Sequence, residues 1–177
     1  MQSSINNLIF GKEVYVRLIS VMDEEDDVIS QEAYSQVKKL AFEMYGDGNW
    51  TIVKSVTGKP NFIYNDKYFM SVSHTDNLIA VAVCKGYSIG IDIEKIHKIS
   101  EKLIDKYYTE DEKNMISLNV MDKEKEEVKI WTLKEAHCKC TGVGLDKCSL
   151  RWDSVNDENF FLDSICIGNY IVSVCKG

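Results

Sequence analysis

Four short apolar segments follow one another between residues 50 and 94, and turn residues separate them. They span residues 50–55, 68–73, 78–84 and 87–94, with breaks at Thr75-Asp76-Asn77 and Lys85-Gly86. The short breaks between the last three segments are typical of strands joined by tight hairpins. Because hairpins join antiparallel neighbours, we expect mainly antiparallel sheets in this chain.

The residues on either side of this block complete an α+β pattern. Apolar and polar side chains alternate over residues 13–20, which predicts a strand, and a helix follows that extends to about Tyr45. The predicted inner face of that helix consists of Ala33, Val37, Leu40, Ala41 and Met44. Later helices are predicted at 100–107, 110–118 and 125–140, and later strands near 149–152, 160–166 and 170–175. We therefore expect two similar α+β halves, residues 1–88 and 89–177.

Charge and hydropathy exclude several classes of protein. The chain has 21 Lys and Arg against 28 Asp and Glu, a formal net charge of −7, and only Arg17 and Arg151 are arginines. Non-specific nucleic-acid binding needs a basic surface, so this composition argues against it. No apolar stretch approaches the ~20 residues of a membrane span, and the N-terminus lacks the pattern of a signal peptide. We expect a soluble cytoplasmic protein that does not act at a membrane.

The six cysteines do not form a recognisable zinc pattern. No CxxC occurs, and Cys138 and Cys140 are two residues apart on a predicted helix, which points them about 200° apart. Two thiols in this arrangement cannot share one tetrahedral site. We expect reduced and mostly buried thiols. Of two histidines near the motifs described below, His97 is predicted to lie on the surface and His137 to be structural.

A pair of carboxylates marks the end of the strand at 87–94. Side chains two residues apart share one face of a strand, so Asp92 and Glu94 project together while Ile91 and Ile93 face the other side. Gly90 permits a ligand or another backbone to approach closely. Adjacent carboxylates repel unless a proton or a cation intervenes, and magnesium takes such oxygen ligands. The alternative is an ordinary exposed strand end with two solvated acids.

Two further elements carry groups that are suited to binding an anion. Glu135 and Lys139 are four residues apart on the helix at 125–140 and therefore share one face, which is also the pattern of an ordinary surface ion pair. Lys59 lies in a Gly-Pro turn that can present its ammonium to a phosphate. Ser73 and His74 end a strand at a turn, where they can bind a phosphate or simply hydrogen-bond to their own backbone.

Read in order, these elements resemble the motif series of a known family. The order Gly58-Lys59-Pro60, Ser71-Val72-Ser73-His74-Thr75, Gly90-Ile91-Asp92-Ile93-Glu94 and Trp131-Thr132-Leu133-Lys134-Glu135 is similar to that of the 4′-phosphopantetheinyl transferases. The resemblance is to the surfactin-synthetase-activating type, which is a pseudo-dimer in one chain with the active site between its halves. It covers the chain from about Thr57 to the C-terminus and includes Tyr107-Tyr108, Glu112, the loop at 142–145 and the strand at 170–175.

The resemblance implies a role for each residue that matches a family motif. Asp92, Glu94 and Glu135 would hold Mg²⁺, and Lys139 would contact the reacting phosphate of coenzyme A. The same resemblance implies that Lys59, Ser73 and His74 bind the 3′-phosphate end of coenzyme A. Lys134 and Glu112 match motif positions without an assigned role. The family's basic N-terminal stretch is shorter here, and Lys38 and Lys39 are its candidates.

The implied reaction moves the phosphopantetheine arm of coenzyme A to a serine of an apo acyl or peptidyl carrier protein, of fatty-acid, polyketide or nonribosomal peptide synthesis. Adenosine 3′,5′-bisphosphate leaves, Glu135 accepts the serine proton, and Lys139 stabilises the phosphate charge. We expect a monomer, because a pseudo-dimer completes its site within one chain. Two alternatives are a non-catalytic module that binds a carrier protein or coenzyme A, and an unrelated magnesium phosphodiesterase.

Overall fold

A computed structural model describes residues 5–11, 13–21, 26–56, 58–63, 66–143 and 152–177. Its strands are β1 (Ile5–Phe10), β2 (Val14–Ser20), β3 (Ile52–Lys54), β4 (Pro60–Phe62), β5 (Tyr68–Thr75), β6 (Leu78–Lys85), β7 (Ile89–Lys95), β8 (Phe161–Ile167) and β9 (Tyr170–Lys176). Its helices are α1 (Asp26–Tyr45), α2 (Glu101–Tyr107), α3 (Glu110–Leu118) and α4 (Lys123–Thr141), with a 3-10 turn at Val120–Asp122.

The described strands form three antiparallel sheets. The first has the order β1-β2-β6-β5, the second pairs β3 with β4, and the third has the order β7-β9-β8. The first two sheets are formed by residues before position 88, and the third by residues after it. The α+β class and the antiparallel pairing are as predicted. The division at residue 88 and the similarity of the two halves stay predictions.

Period-two alternation on the strands builds the core between the first and third sheets. One face of β2 and β6 meets one face of β7 and β9, and their branched side chains are almost fully buried. The members of this cluster that come from β7 and β9 are Ile89, Ile91, Ile93, Val172 and Val174. The two sheets therefore pack face to face, and burial of these apolar side chains is the main favourable term that holds them together.

A helix covers the outer face of each of these sheets. Ala33, Val37 and Leu40 of α1 pack on the first sheet, on the face opposite β7. The α4 helix packs on the third sheet, where Ala136 and Cys140 contact Cys175 of β9. The layers therefore follow the order α1, first sheet, third sheet, α4. Within the described residues, no helix is both long enough and apolar enough to cross a membrane.

Capping residues mark where the later helices begin and end, close to the predicted positions. The Ser100 side chain accepts the Leu103 N–H at the start of α2, and Thr109 and Glu112 form a reciprocal capping box at the start of α3. Gly142 ends α4 with a φ of 74°, a left-handed conformation that glycine adopts at little cost. These caps satisfy backbone groups that the helices leave unpaired.

Some details differ from the sequence-based expectations. Met44 is 40% exposed, so its predicted place on the inner face of α1 is wrong. Two strands, β1 and β4, were not predicted, because short segments with polar residues lack a clear alternation. Residues 149–151 of the predicted strand near 149–152 lie outside the described residues, as do Cys148 and part of the loop at 142–145. Four of the five described cysteines are buried, as predicted, and Cys166 is exposed.

The close packing of α4 on β7 depends on glycine at position 90. A Cβ atom there would lie 1.8 Å from the carbonyl oxygen of Ala136. Of the ligand or backbone that the sequence predicted to approach Gly90 closely, the structure shows a backbone, that of α4. We expect Gly90→Ala to lower the free energy of unfolding by about 3 kcal/mol or more, because the helix must move away. Denaturant unfolding followed by circular dichroism measures this change.

Gly168→Ala is the matched control for that variant. Gly168 has a φ of 59°, but no atom lies within 4 Å of the place that a Cβ would occupy, so only backbone strain of about 1–2 kcal/mol is expected. A Gly90→Ala protein that is as stable as the Gly168→Ala protein would contradict the close-packing argument.

Candidate functional site

The first group of site residues joins three separate elements through one carboxylate oxygen. The Lys139 ammonium of α4 lies 2.7 Å from Asp92 Oδ1 of β7, and the Ser73 hydroxyl of β5 donates to the same oxygen at 2.7 Å. Lys139 also donates to Ser73 Oγ at 2.9 Å. Lys139 is 31% exposed, whereas Asp92 is almost fully buried. The structure thus brings together residues that are 19 to 66 positions apart in sequence.

The second oxygen of Asp92 has no such partner. Asp92 Oδ2 is buried and makes no hydrogen bond with any described residue. A buried carboxylate oxygen that lacks a partner is costly in a folded protein, so it indicates a group that the protein itself does not supply.

Glu94 lies two residues farther along β7, on the same face as Asp92, as predicted. Its carboxylate is half-buried and accepts a hydrogen bond from Thr75 Oγ1 at 3.3 Å. Burial raises the pKa of Glu94, and the nearby Asp92 carboxylate raises it further, against a smaller lowering by Thr75. The site therefore carries more negative charge than its hydrogen-bond donors and its ammonium compensate.

Glu135 lies one helical turn before Lys139 on α4, close to the same negatively charged side chains. The pKa of its carboxyl is raised to about 7, first by burial and then by Asp92 and Glu94, against a lowering by Lys139. A carboxyl group with a pKa close to 7 exchanges its proton near neutral pH, which is the property required of a general base.

A pocket of about 290 Å³ connects Glu135 and Lys139 with the N-terminal motifs. Its lining includes Lys59, Met70, Ser71, Val72, Glu135 and Lys139. Lys59 donates from Nζ to the carbonyl oxygen of Cys140 at 2.9 Å, in the last turn of α4, and burial lowers its pKa. Segments from before and after residue 88 therefore meet in this pocket.

Ser73 and His74 do not point into the same region. Ser73 is buried and is hydrogen-bonded to Asp92 and Lys139, whereas His74 is exposed on the next position of the strand. Alternation along β5 separates the two side chains by placing them on opposite faces. Lys38 and Lys39 are also exposed, on α1. Ser73 therefore contacts the site residues Asp92 and Lys139, whereas His74 does not.

The donor set fits a hard divalent cation. Asp92, Glu94 and Glu135 offer carboxylate oxygens, one of which is buried without a partner among the described residues, and the Asp92 carboxylate raises the pKa of both glutamates. Among the described residues, no three or more His, Cys, Asp or Glu side chains are already arranged to hold a metal ion. Magnesium commonly takes only one or two protein carboxylates and completes its shell with water and phosphate oxygens, so it needs no preformed cage of three.

Two motif residues that had no assigned role form a buried ion pair. Lys134 Nζ lies 2.9 Å from Glu112 Oε2, both side chains are fully buried, and Lys134 also donates to the Trp152 carbonyl at 2.6 Å. Glu112 further accepts hydrogen bonds from the backbone and side chain of Ser154. The pair ties α4 to α3 and to the segment before β8. No spacing in the sequence indicates this contact.

The two histidines have the roles predicted for them. His137 is buried, stacks on Trp152 at a centroid distance of 3.8 Å and meets Phe160 edge-on, and burial lowers its pKa. His97 is exposed, with its ring nitrogen 2.7 Å from the Lys95 carbonyl oxygen. Neither side chain lines the pocket beside Glu135.

The fold and the pocket define an α+β protein in which a carboxylate cluster and two lysines meet where two sheets and a helix converge. Residues 88–173 match the family model of the 4′-phosphopantetheinyl transferase superfamily. The chain is also 26% identical, over 137 residues, to the 4′-phosphopantetheinyl transferase gsp of Aneurinibacillus migulanus. That alignment covers 76% of this chain and 55% of the relative, so the chain spans little more than half of the relative's length. Residues 88–173 are thus similar to the 4′-phosphopantetheinyl transferase superfamily, which confirms the resemblance that the motifs predict.

The raised pKa of Glu135 predicts a dependence of stability on pH. The unfolded state releases the Glu135 proton at its ordinary, lower pKa, so the free energy of unfolding falls as the pH rises from about 4.5 to about 7. Glu135→Gln removes this loss. In EDTA, we expect the variant to exceed the wild type in Tm by about 2–4 °C at pH 8, or about 1 kcal/mol, and to match it at pH 4. A Tm difference that is the same at both pH values would contradict this cause.

The Lys134–Glu112 pair gives a second prediction. Lys134→Met leaves a buried carboxylate without its counter-ion, and we expect a loss of about 3–5 kcal/mol in the free energy of unfolding. Adding Glu112→Gln removes the stranded charge while it keeps an acceptor oxygen, so the double variant should be more stable than Lys134→Met alone. Guanidinium unfolding measures both variants, and equal stability of the two would contradict the burial argument.

Proposed function

We propose that this chain transfers the 4′-phosphopantetheine arm of coenzyme A to a serine hydroxyl of an apo acyl or peptidyl carrier protein. The observation that carries the proposal is the single pocket that contains Glu135, Lys139 and Lys59, with Lys139 paired to Asp92. The superfamily match and the name of the relative from Aneurinibacillus migulanus support the same activity. The products are the holo carrier protein and adenosine 3′,5′-bisphosphate.

Coenzyme A is anionic, and the lysines of the pocket are suited to bind it. We infer that Lys59 and His74 bind the 3′-phosphate end and that Lys139 contacts the reacting phosphate. Ser73, for which the resemblance also implies the 3′-phosphate end, is hydrogen-bonded to Lys139 and Asp92 and would instead act beside the reacting phosphate. The proposal is strongest for Lys59 and Lys139, which both line the pocket. An ammonium in a partly buried site attracts a phosphate more strongly than one in bulk water does, because the local dielectric constant is lower.

Glu135 has the properties of the general base that the reaction needs. The carrier serine attacks the β-phosphorus of coenzyme A as its proton passes to the Glu135 carboxylate, directly or through water, and the bond to adenosine 3′,5′-bisphosphate breaks. Without a cation the carboxyl pKa is raised to about 7, and a bound divalent cation would lower it, which keeps Glu135 ionised and able to accept a proton near neutral pH. Lys139 would stabilise the charge on the phosphate oxygens as the bonds change.

Asp92, Glu94 and Glu135 are the residues that would hold Mg²⁺. A bound divalent cation would neutralise the charge of the pyrophosphate oxygens, which is the main requirement of phosphoryl transfer. The buried, unpartnered oxygen of Asp92 and the raised pKa values of Glu94 and Glu135 support this assignment. The pseudo-dimer, with halves 1–88 and 89–177 and the site between them, is part of the same proposal, as is a monomeric state.

Mass spectrometry of apo carrier proteins incubated with the chain, coenzyme A and Mg²⁺ tests the proposal. We expect the carriers to gain one phosphopantetheine arm, and EDTA to abolish the gain. Glu135→Gln should slow transfer by about 10²–10⁴-fold, because it removes the base. Lys139→Met should slow it by about 10²–10³-fold, because it removes a donor that acts on the phosphate.

Glu124→Gln is the matched control, because Glu124 is exposed in the first turn of the same helix, far from the pocket. It should transfer at the wild-type rate. Binding of coenzyme A without transfer to any carrier would instead favour the non-catalytic binding module. Hydrolysis of coenzyme A with no carrier present would favour a phosphodiesterase.

A further inference from the structure

Three hydroxyl side chains face β7 from alternate positions of β5. Ser71 Oγ accepts the Ile91 N–H at 3.0 Å, and Ser73 Oγ donates to Asp92 at 2.7 Å. Thr75 Oγ1 completes the series by donating to Glu94 at 3.3 Å. We call Ser71, Ser73 and Thr75 the hydroxyl row. Because side chains two residues apart share one face of a strand, one strand supplies all three contacts.

The hydroxyl row lies where two sheets meet at their edges. β5 is the last strand of the four-stranded sheet, and β7 is the first strand of the three-stranded sheet. The two strands belong to different sheets, and the hydroxyl row supplies hydrogen bonds between them. The position of the β7 carboxylates relative to β5 therefore depends partly on three side-chain hydroxyls.

The turn after Thr75 is held against the same strand. Asp76 has a φ of 43° and accepts hydrogen bonds from Lys95 Nζ at 3.0 Å and from the Tyr170 hydroxyl at 3.4 Å. Thr75 and Asp76 thus contact Glu94 and Lys95, two neighbours on β7. These paired contacts keep the Thr75 hydroxyl beside the Glu94 carboxylate, although Lys95 and Asp76 are about half exposed.

The Glu94 carboxylate has fewer hydrogen-bond donors to hold its orientation than the Asp92 carboxylate has. Asp92 Oδ1 is held by both Ser73 and Lys139. Among the described residues, Thr75 is the one side chain within hydrogen-bonding distance of the Glu94 carboxylate. Without that hydroxyl, the carboxylate would be free to rotate, and repulsion by Asp92 favours rotation away from it.

We propose that Thr75 is a positioning residue whose hydroxyl holds the Glu94 carboxylate beside Asp92 for binding of a divalent cation. The inference rests on the proposed function, because it takes Asp92 and Glu94 as metal ligands. Groups that orient the ligands of a metal commonly change its affinity by 10–100-fold when they are removed. Two successive members of the hydroxyl row would then each orient one carboxylate: Ser73 would hold Asp92, and Thr75 would hold Glu94.

Titration with Mn²⁺ in the absence of coenzyme A tests this role without measuring transfer. Free Mn²⁺ is followed by electron paramagnetic resonance for the wild type and for Thr75→Val, which keeps the shape of the side chain and loses the hydroxyl. We expect Thr75→Val to raise the Kd for Mn²⁺ by about 10-fold or more. Thr75→Ser keeps the hydroxyl and should stay within about threefold of the wild type.

Thr51→Val is the control for loss of a threonine hydroxyl elsewhere. Thr51 is exposed, its hydroxyl donates to Asn49, and the variant should bind Mn²⁺ with the wild-type affinity. Thermal unfolding in EDTA checks that the variants fold, and Thr75→Ala replaces Thr75→Val if the latter does not. Wild-type affinity in a folded variant without the Thr75 hydroxyl would overturn the positioning role alone. Absence of Mn²⁺ binding by the wild type would overturn the metal assignment in the proposed function, and the positioning role with it.

Discussion

The contact of α4 with β7 at Gly90 is the constraint on which the site depends. Because Gly90 has no side chain, the Ala136 carbonyl can lie where a Cβ atom would otherwise be, and the helix packs directly on the strand. Lys139 follows Ala136 by one turn and Asp92 follows Gly90 by one pleat, so the same approach that buries the helix brings the ammonium to the carboxylate. Any larger residue at position 90 would separate the two groups.

Negative charge exceeds positive charge around this contact, and the raised pKa values of two glutamates reflect this excess. Glu94 and Glu135 both have raised pKa values because of burial and of neighbouring carboxylates, while Lys139 compensates only part of that charge. Folding thus concentrates acidic groups that the unfolded chain keeps apart in water. Proteins retain such arrangements at sites where a cation, a proton or a substrate supplies the missing balance, and this accounts for the position of the proposed base beside the proposed metal ligands.

Much of this arrangement could be predicted from local pattern. Short apolar segments between turn residues indicated β5, β6 and β7, a further strand was predicted near β9, and the two-residue period placed Asp92 and Glu94 on one face. Spacing by four residues placed Glu135 and Lys139 on one face of a helix. The Lys134–Glu112 pair and the contact of Thr75 with Glu94 were not predicted, because each joins elements whose relative position depends on packing. The exposure of Met44 was missed for the same reason, since a helical period does not state how wide the buried face is.

The sequence by itself determined the antiparallel α+β pattern, the order of the motifs and the residue types that meet a phosphate or a cation. These follow from side-chain periodicity and from chemistry that short segments carry with them. Only the tertiary structure decided which partners those residues have: Ser73 on Asp92, Thr75 on Glu94, and Lys59 on the last turn of α4. The reason is physical, because contacts between distant segments arise when sheets and helices bury their apolar faces, and that burial sets the distances between polar groups at their edges.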